Sequence, residues 1–146
     1  MPQSLSAVYI HLVFSTKERR PFLHDTTVRD ALHSYLGGIS KQLECPPIRI
    51  GGIEDHVHIL VKLPPTITVS DFLEKLKANT SKWAKSVRRG FGWQEGYSAF
   101  TVSESQVNRV RRYIQNQREH HAKLSFRDEL IALLEAHGLK YDPDRI

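Results

Sequence analysis

From Val8 to Phe14 the chain alternates. Val8, Ile10, Leu12 and Phe14 share one face of an extended segment, and Tyr9, His11 and Val13 take the other. This predicts a strand over residues 5–14, followed by a charged loop, Lys17-Glu18-Arg19-Arg20-Pro21. Residues 24–44 read as a helix, weakened in its middle by Gly37-Gly38 and stopped by Cys45-Pro46-Pro47. Two apolar runs follow, Ile48 to Ile53 and His56 to Leu63. The short Glu54-Asp55 connection between them predicts a β-hairpin, which Pro64-Pro65 ends.

The period then changes. At about 100° per residue, Phe72, Leu73, Leu76, Thr80, Trp83, Ala84 and Val87 fall in one arc, which predicts a helix over residues 72–87. A loop with Phe91 and Trp93 leads to a short strand, residues 97–102. Ser103-Glu104-Ser105-Gln106 has the form of a capping box and predicts a helix running to about Lys123. Ser125 opens a last helix, which Gly138 ends. The order β-α-β-β-α-β-α-α predicts an α+β fold: a ferredoxin-like antiparallel sheet (split βαβ) with helices packed on it. No internal repeat, low-complexity segment or linker divides the chain, so one domain is expected over residues 1–146.

Composition narrows the partners. Lys and Arg number 21 against 16 Asp and Glu, a net charge of +5 with a pI near 9.5, which favours a polyanionic partner. Much of that excess lies on one helix. Lys75, Lys77, Lys82, Lys85, Arg88 and Arg89 occupy the arc opposite the apolar stripe, with only Asp71 and Glu74 against them between residues 71 and 89. Such a face is either a solvated surface or a track for a nucleic-acid backbone. Cys45 is the single cysteine, which excludes a disulfide framework and fits a reducing compartment. With no signal pattern and no apolar run near the roughly 20 residues that span a bilayer, a cytoplasmic protein with no membrane partner is expected.

The candidate chemistry begins with His56-Val57-His58. Residues i and i+2 of a strand point the same way, so the two imidazoles share a face while Val57, Ile59 and Val61 pack the other. They are either a satisfied structural pair or half of a divalent-metal site. Farther on, Tyr113 and Gln117 stand i, i+4 on a helix whose inward stripe is Val107, Val110, Ile114 and His121, with His120 nearby around the axis. A phenol can act as a covalent nucleophile, and a Gln carbonyl can complete the shell of a hard cation. Equally, a Tyr at the border of an apolar stripe suits ordinary amphipathic packing, and Gln117 suits a solvent-facing helix former. His11 receives no role at this level.

In this order, HLVFSTKERRP, EDHVHIL, LEKLKANTSKW, FGWQEGYSAFTVSES and YIQNQREHHAKLSFRDEL resemble the single-tyrosine HUH transposases of the insertion sequence 200/605 family, over nearly the whole chain. The resemblance implies that His56 and His58 are metal ligands, with Gln117 the third protein ligand on the helix that carries Tyr113, the catalytic nucleophile. It implies cutting and rejoining of single-stranded DNA through a 5′-phosphotyrosine, with Mg2+ or Mn2+ as the cofactor. Imidazoles alone suggest zinc or another transition metal. The implied partners are DNA hairpins at the element ends and a second copy of the chain, in a homodimer whose active sites can be shared between subunits. Lys75, Lys77, Lys82, Lys85, Arg88 and Arg89 would then hold DNA. The alternatives are a repeat-associated tyrosine transposase acting on chromosomal palindromes, a domesticated binder that no longer cleaves, and a zinc hydrolase. The last would have no use for Tyr113, and no H-E-x-x-H pattern is present.

Overall fold

The computed structural model describes residues 3–146. Its elements are β1 (Val8–Ser15), α1 (Thr26–Gln42), β2 (Pro47–Gly52), β3 (His56–Leu63), α2 (Val69–Val87), β4 (Ser98–Val102), α3 (Val107–Gln115), α4 (Gln117–His121) and α5 (Phe126–Ala136). The four strands form one antiparallel sheet in the order β2-β3-β1-β4, the split βαβ arrangement that the pattern predicts. β1 and β3 are the central pair, with Ser15 opposite His56 and Val13 opposite His58.

The two faces of that pair have different jobs. Ile10, Leu12 and Phe14 of β1 and Val57, Ile59 and Val61 of β3 point into the main core, against Leu32, Leu36, Phe72, Leu73 and Leu76 of α1 and α2. Each such buried aliphatic or aromatic side chain contributes about 1.5–3 kcal/mol, so this face holds the sheet together. The opposite face carries a smaller cluster, Val13, Phe100, Phe126 and Leu134, together with the three strand histidines, all of them buried. On this face α5 covers polar side chains that the sheet alone would leave open. Among the described residues no helix is long and apolar enough to cross a membrane.

The structure departs locally from the sequence pattern. The helix expected from Ser103 to about Lys123 is broken. Ser103 makes no capping bond but meets Ser105 through its hydroxyl, and a 3-10 turn over Glu104–Gln106 precedes α3. α3 then stops at Asn116, which leaves helical geometry (φ −96°, ψ 21°), and α4 restarts at Gln117. Asn is a poor helix-interior residue because its amide competes with the backbone. The first strand likewise begins at Val8 and not at Leu5, whose side chain is exposed. α2 gains a turn at its start, where the Thr68 hydroxyl accepts from the Asp71 amide.

Candidate metal and tyrosine site

β3 presents His56 and His58 side by side, both fully buried. Each ring is fixed from behind. Nδ1 of His56 meets Oδ1 of Asp55 at 2.8 Å, and Nδ1 of His58 meets Nε2 of His11, from β1, at 2.8 Å. Both Nε2 atoms therefore face α4 and α5. This is the usual construction of a metal-ligating histidine, in which the far nitrogen is held so that the near one is aimed.

The helices close over those atoms. Gln117, at the start of α4, places Oε1 3.1 Å from Nε2 of His56 and 2.9 Å from Nε2 of His121. His121 is itself held by its Nδ1, 2.6 Å from the Leu124 carbonyl. Glu129 of α5 is buried with Oε1 3.2 Å from His56 Nε2, 2.9 Å from His58 Nε2 and 3.1 Å from His121 Nε2. Its second oxygen accepts from the Tyr113 hydroxyl and, at 2.9 Å, from the Gln117 amide. α5 is anchored locally: Ser125 caps it by accepting from the Asp128 amide, and the Phe126 ring stacks on His56, with centroids 4.1 Å apart.

His56, His58, His121 and Glu129 each offer one ligand atom, all within 4.8 Å of one another. For bonds of about 2.1 Å, neighbouring corners of an octahedron stand about 3.0 Å apart, close to the separations around Glu129 Oε1. The donor set also fits a cation by its protons. In their neutral forms, His56 and His121 give their Nδ1 hydrogens to Asp55 and the Leu124 carbonyl, so their bare Nε2 lone pairs face the oxygens of Glu129 and Gln117. Acceptors opposing acceptors need positive charge between them, supplied by protons or by a metal ion.

Electrostatics agrees. Burial would raise the Glu129 pKa, but the surrounding His121, His56 and His58 outweigh it and hold the carboxyl far below the usual carboxylate range. Burial works against charge on His56, yet Asp55 and Glu129 push its pKa above the ordinary value. For His58 burial wins over Glu129 and the pKa falls to about 4; His11, buried beside it, falls to about 3. Burial, and then the bond to Glu129, push the Tyr113 phenol above its ordinary value. The nucleophile candidate is thus held as a neutral phenol.

The structure brings together His56, His58, Tyr113 and Gln117 in one chain. His120 lies beside Tyr113, its Nε2 3.5 Å from the hydroxyl. The six basic residues of α2 are less uniform. Lys77, Lys85 and Arg89 line a cleft with Lys17 and Trp93, whereas Lys75, Lys82 and Arg88 do not. The Lys77 ammonium is occupied by the carbonyls of Gln94 and Gly96, at 3.0 and 2.7 Å, and Arg88 reaches Asp25 at 3.5 Å. Sequence reasoning missed His11, His121 and Glu129. Glu129 left a signal: it is a carboxylate three residues from Phe126, on the buried stripe of an otherwise amphipathic helix.

The family model described as "Transposase IS200 like" matches residues 4–117, a segment that holds His56, His58, Tyr113 and Gln117 and stops short of His121 and Glu129. The ISDra2 transposase TnpA of Deinococcus radiodurans is 27% identical over 117 residues, which span 75% of this chain and 83% of that protein. The transposase for insertion sequence element IS200 of Salmonella typhimurium is 31% identical over 122 residues, 75% of this chain and 76% of its own length. Among solved structures, a candidate transposase from Deinococcus radiodurans R1 superposes with a TM-score of 0.64 at 27% identity, covering 80% of this chain and 95% of that one. A REP-associated tyrosine transposase bound to a REP hairpin superposes with a TM-score of 0.63, over 85% of this chain and 74% of that one. At 13% identity, the second likeness is one of fold alone.

Proposed function

The chain belongs to the IS200-like transposase family, and we propose that it cuts and rejoins single-stranded DNA at insertion-sequence ends through a 5′-phosphotyrosine formed by Tyr113. The observation that carries this reading is the meeting of Tyr113 with His56, His58 and Gln117 around one buried centre. His56 and His58 through Nε2, and Gln117 through its carbonyl, hold a divalent ion, Mg2+ or Mn2+. When bound, that ion supplies Lewis acidity toward a phosphate oxygen.

The chain's own residues do the rest. Tyr113 Oη gives up its proton and forms a bond to phosphorus as the bond to the 3′ oxygen breaks, and the departing oxygen takes up a proton to become a 3′-hydroxyl, so no net proton is gained or lost. Rejoining is the reverse: a 3′-hydroxyl attacks the phosphotyrosine, and the phenol recovers its proton. The energy of the phosphodiester is kept in the covalent intermediate, so the cycle needs no nucleotide cofactor. Lys85 and Arg89, on the cleft with Lys17 and Trp93, hold the DNA backbone. The working unit is a homodimer bound to hairpins near the element ends.

The test is a labelled single-stranded oligonucleotide carrying an element end, mixed with protein and Mn2+ and run on a denaturing gel. A covalent band that disappears with EDTA and with His56→Ala supports the proposal. Binding without any adduct, on element ends and on chromosomal palindromes alike, points instead to a chain that no longer cleaves.

A further inference from the structure

We propose that Glu129, on a helix beyond the family-matched segment, is itself a ligand of the divalent ion through Oε1 and the residue that positions Tyr113 through Oε2. The inference rests on the metal site proposed above and adds to it an anionic ligand that neither the strand pair nor the tyrosine helix supplies.

The first argument is charge. Two imidazoles and one amide carbonyl are neutral ligands, whereas Mg2+ and Mn2+ are hard cations that favour carboxylate oxygen. Among the described residues Glu129 is the one carboxylate within the histidine group, because Asp55 stands behind His56 on its Nδ1 side. The second argument is direction. Three Nε2 atoms, from His56, His58 and His121, converge on the single oxygen Oε1 at 3.2, 2.9 and 3.1 Å. Two of these rings have already committed their Nδ1 atoms to Asp55 and the Leu124 carbonyl. Neutralising the opposed lone pairs by protonation would place two separate imidazolium charges in a buried space, whereas one compact divalent ion brings the same charge to a single point that both lone pairs can ligate directly.

The third argument concerns the other oxygen. Oε2 accepts from the Tyr113 hydroxyl and from the Gln117 amide nitrogen. The second contact fixes which way the Gln117 amide points: its nitrogen is spent on Glu129, so its carbonyl faces His56 and His121. One carboxylate therefore orients the third ligand, holds the nucleophile and contributes charge to the ion. Its placement is built in, since Phe126 stacks on His56 one turn earlier on the same helix. α5 is thus part of the active site, and its Glu129 joins the tyrosine to the metal.

The experiment is calorimetric titration of Mn2+ into the full chain in four forms: wild type, His58→Ala, Glu129→Ala and Glu129→Gln. Visible absorption of the Co2+-loaded proteins supplies a readout of the coordination sphere that a purely structural role would leave unchanged. Glu129→Gln keeps size and an oxygen acceptor for Tyr113, and its amide can donate to the bare imidazole nitrogens, so it separates loss of charge from loss of fold. The expected result is Mn2+ affinity weakened at least about tenfold in both Glu129 variants, with an altered Co2+ spectrum. Binding by Glu129→Gln within twofold of wild type, or tighter, with an unchanged Co2+ spectrum overturns the proposal. If wild type and His58→Ala bind alike, the underlying metal site fails as well, an outcome distinct from failure at Glu129 alone.

Discussion

A Cβ on Gly51 would stand 2.5 Å from the backbone carbonyl oxygen of Ile114 and 2.9 Å from its Cγ2. Gly51 pairs with His58 across the hairpin, so α3 rests directly on the strand next to the histidines, and Tyr113 is carried with it. The contact is with backbone, which cannot step aside as a side chain would. Gly51→Ala is predicted to lift α3 from β2, at a cost of about 1–3 kcal/mol in a urea melt, and to reduce adduct formation more than stability alone explains. Gly38→Ala, in α1 with nothing within 4 Å of its Cβ, is the matched control. It is expected to stabilise by about 0.5–1 kcal/mol and leave activity unchanged.

His11 hydrogen-bonds His58 at 2.8 Å and meets the Tyr113 ring edge-on, with centroids 6.1 Å apart. Removing it frees the His58 ring to turn. His11→Phe fills the space beside Phe100 with an apolar ring but deletes the hydrogen bond. Mn2+ affinity is predicted to fall about 10- to 100-fold, the range typical for residues that orient a ligand. Calorimetric titration of the variant checks this, and far-ultraviolet circular dichroism should remain that of the wild type.

His33, away from the site on α1, supplies a stability prediction with a definite sign. Burial is the first cause of its pKa falling from 6.5 to about 4, and its Nε2 is buried without a hydrogen-bond partner in the described structure. The unfolded chain takes up this proton first as pH falls. Its contribution is therefore complete above about pH 6.5 and is lost progressively toward pH 4. Urea midpoints measured from pH 7 to pH 4.5 should fall less steeply for His33→Gln than for wild type.

Lys85 and Arg89 share the cleft with Lys17 and Trp93, whereas Lys75 lies outside it. Lys85→Ala and Arg89→Ala should each weaken single-stranded DNA binding and lower the slope of log affinity against log salt by about 0.7, one phosphate contact. Lys75→Ala should leave the slope unchanged. Fluorescence anisotropy at several salt concentrations separates the two outcomes.

Strong periodicity made the sheet and both core helices legible. Val57, Ile59 and Val61 pack as their alternation requires, and the arc from Phe72 to Ala84 is buried where the 3.6-residue period places it. His56 and His58 were legible as a pair because a strand fixes the direction of i and i+2. The break at Asn116 was not, since the surrounding residues suit a helix and the side-chain pattern continues through it. His11 and Glu129 were hidden for another reason. Their roles depend on contacts 47 and 71 residues away from them in the chain, to His58 in each case, which no local pattern encodes.

Tyr113 becomes covalently bound to DNA in the proposed reaction. The most direct measurement is mass spectrometry of the tryptic peptide that begins at Tyr113 and ends at Arg118, after reaction with a single-stranded element end and Mn2+ and nuclease trimming of the adduct. This peptide is expected to carry a nucleotide 5′-phosphate on Tyr113, and EDTA and Tyr113→Phe are each expected to abolish it. An adduct on any other residue, or one that survives in Tyr113→Phe, would contradict it.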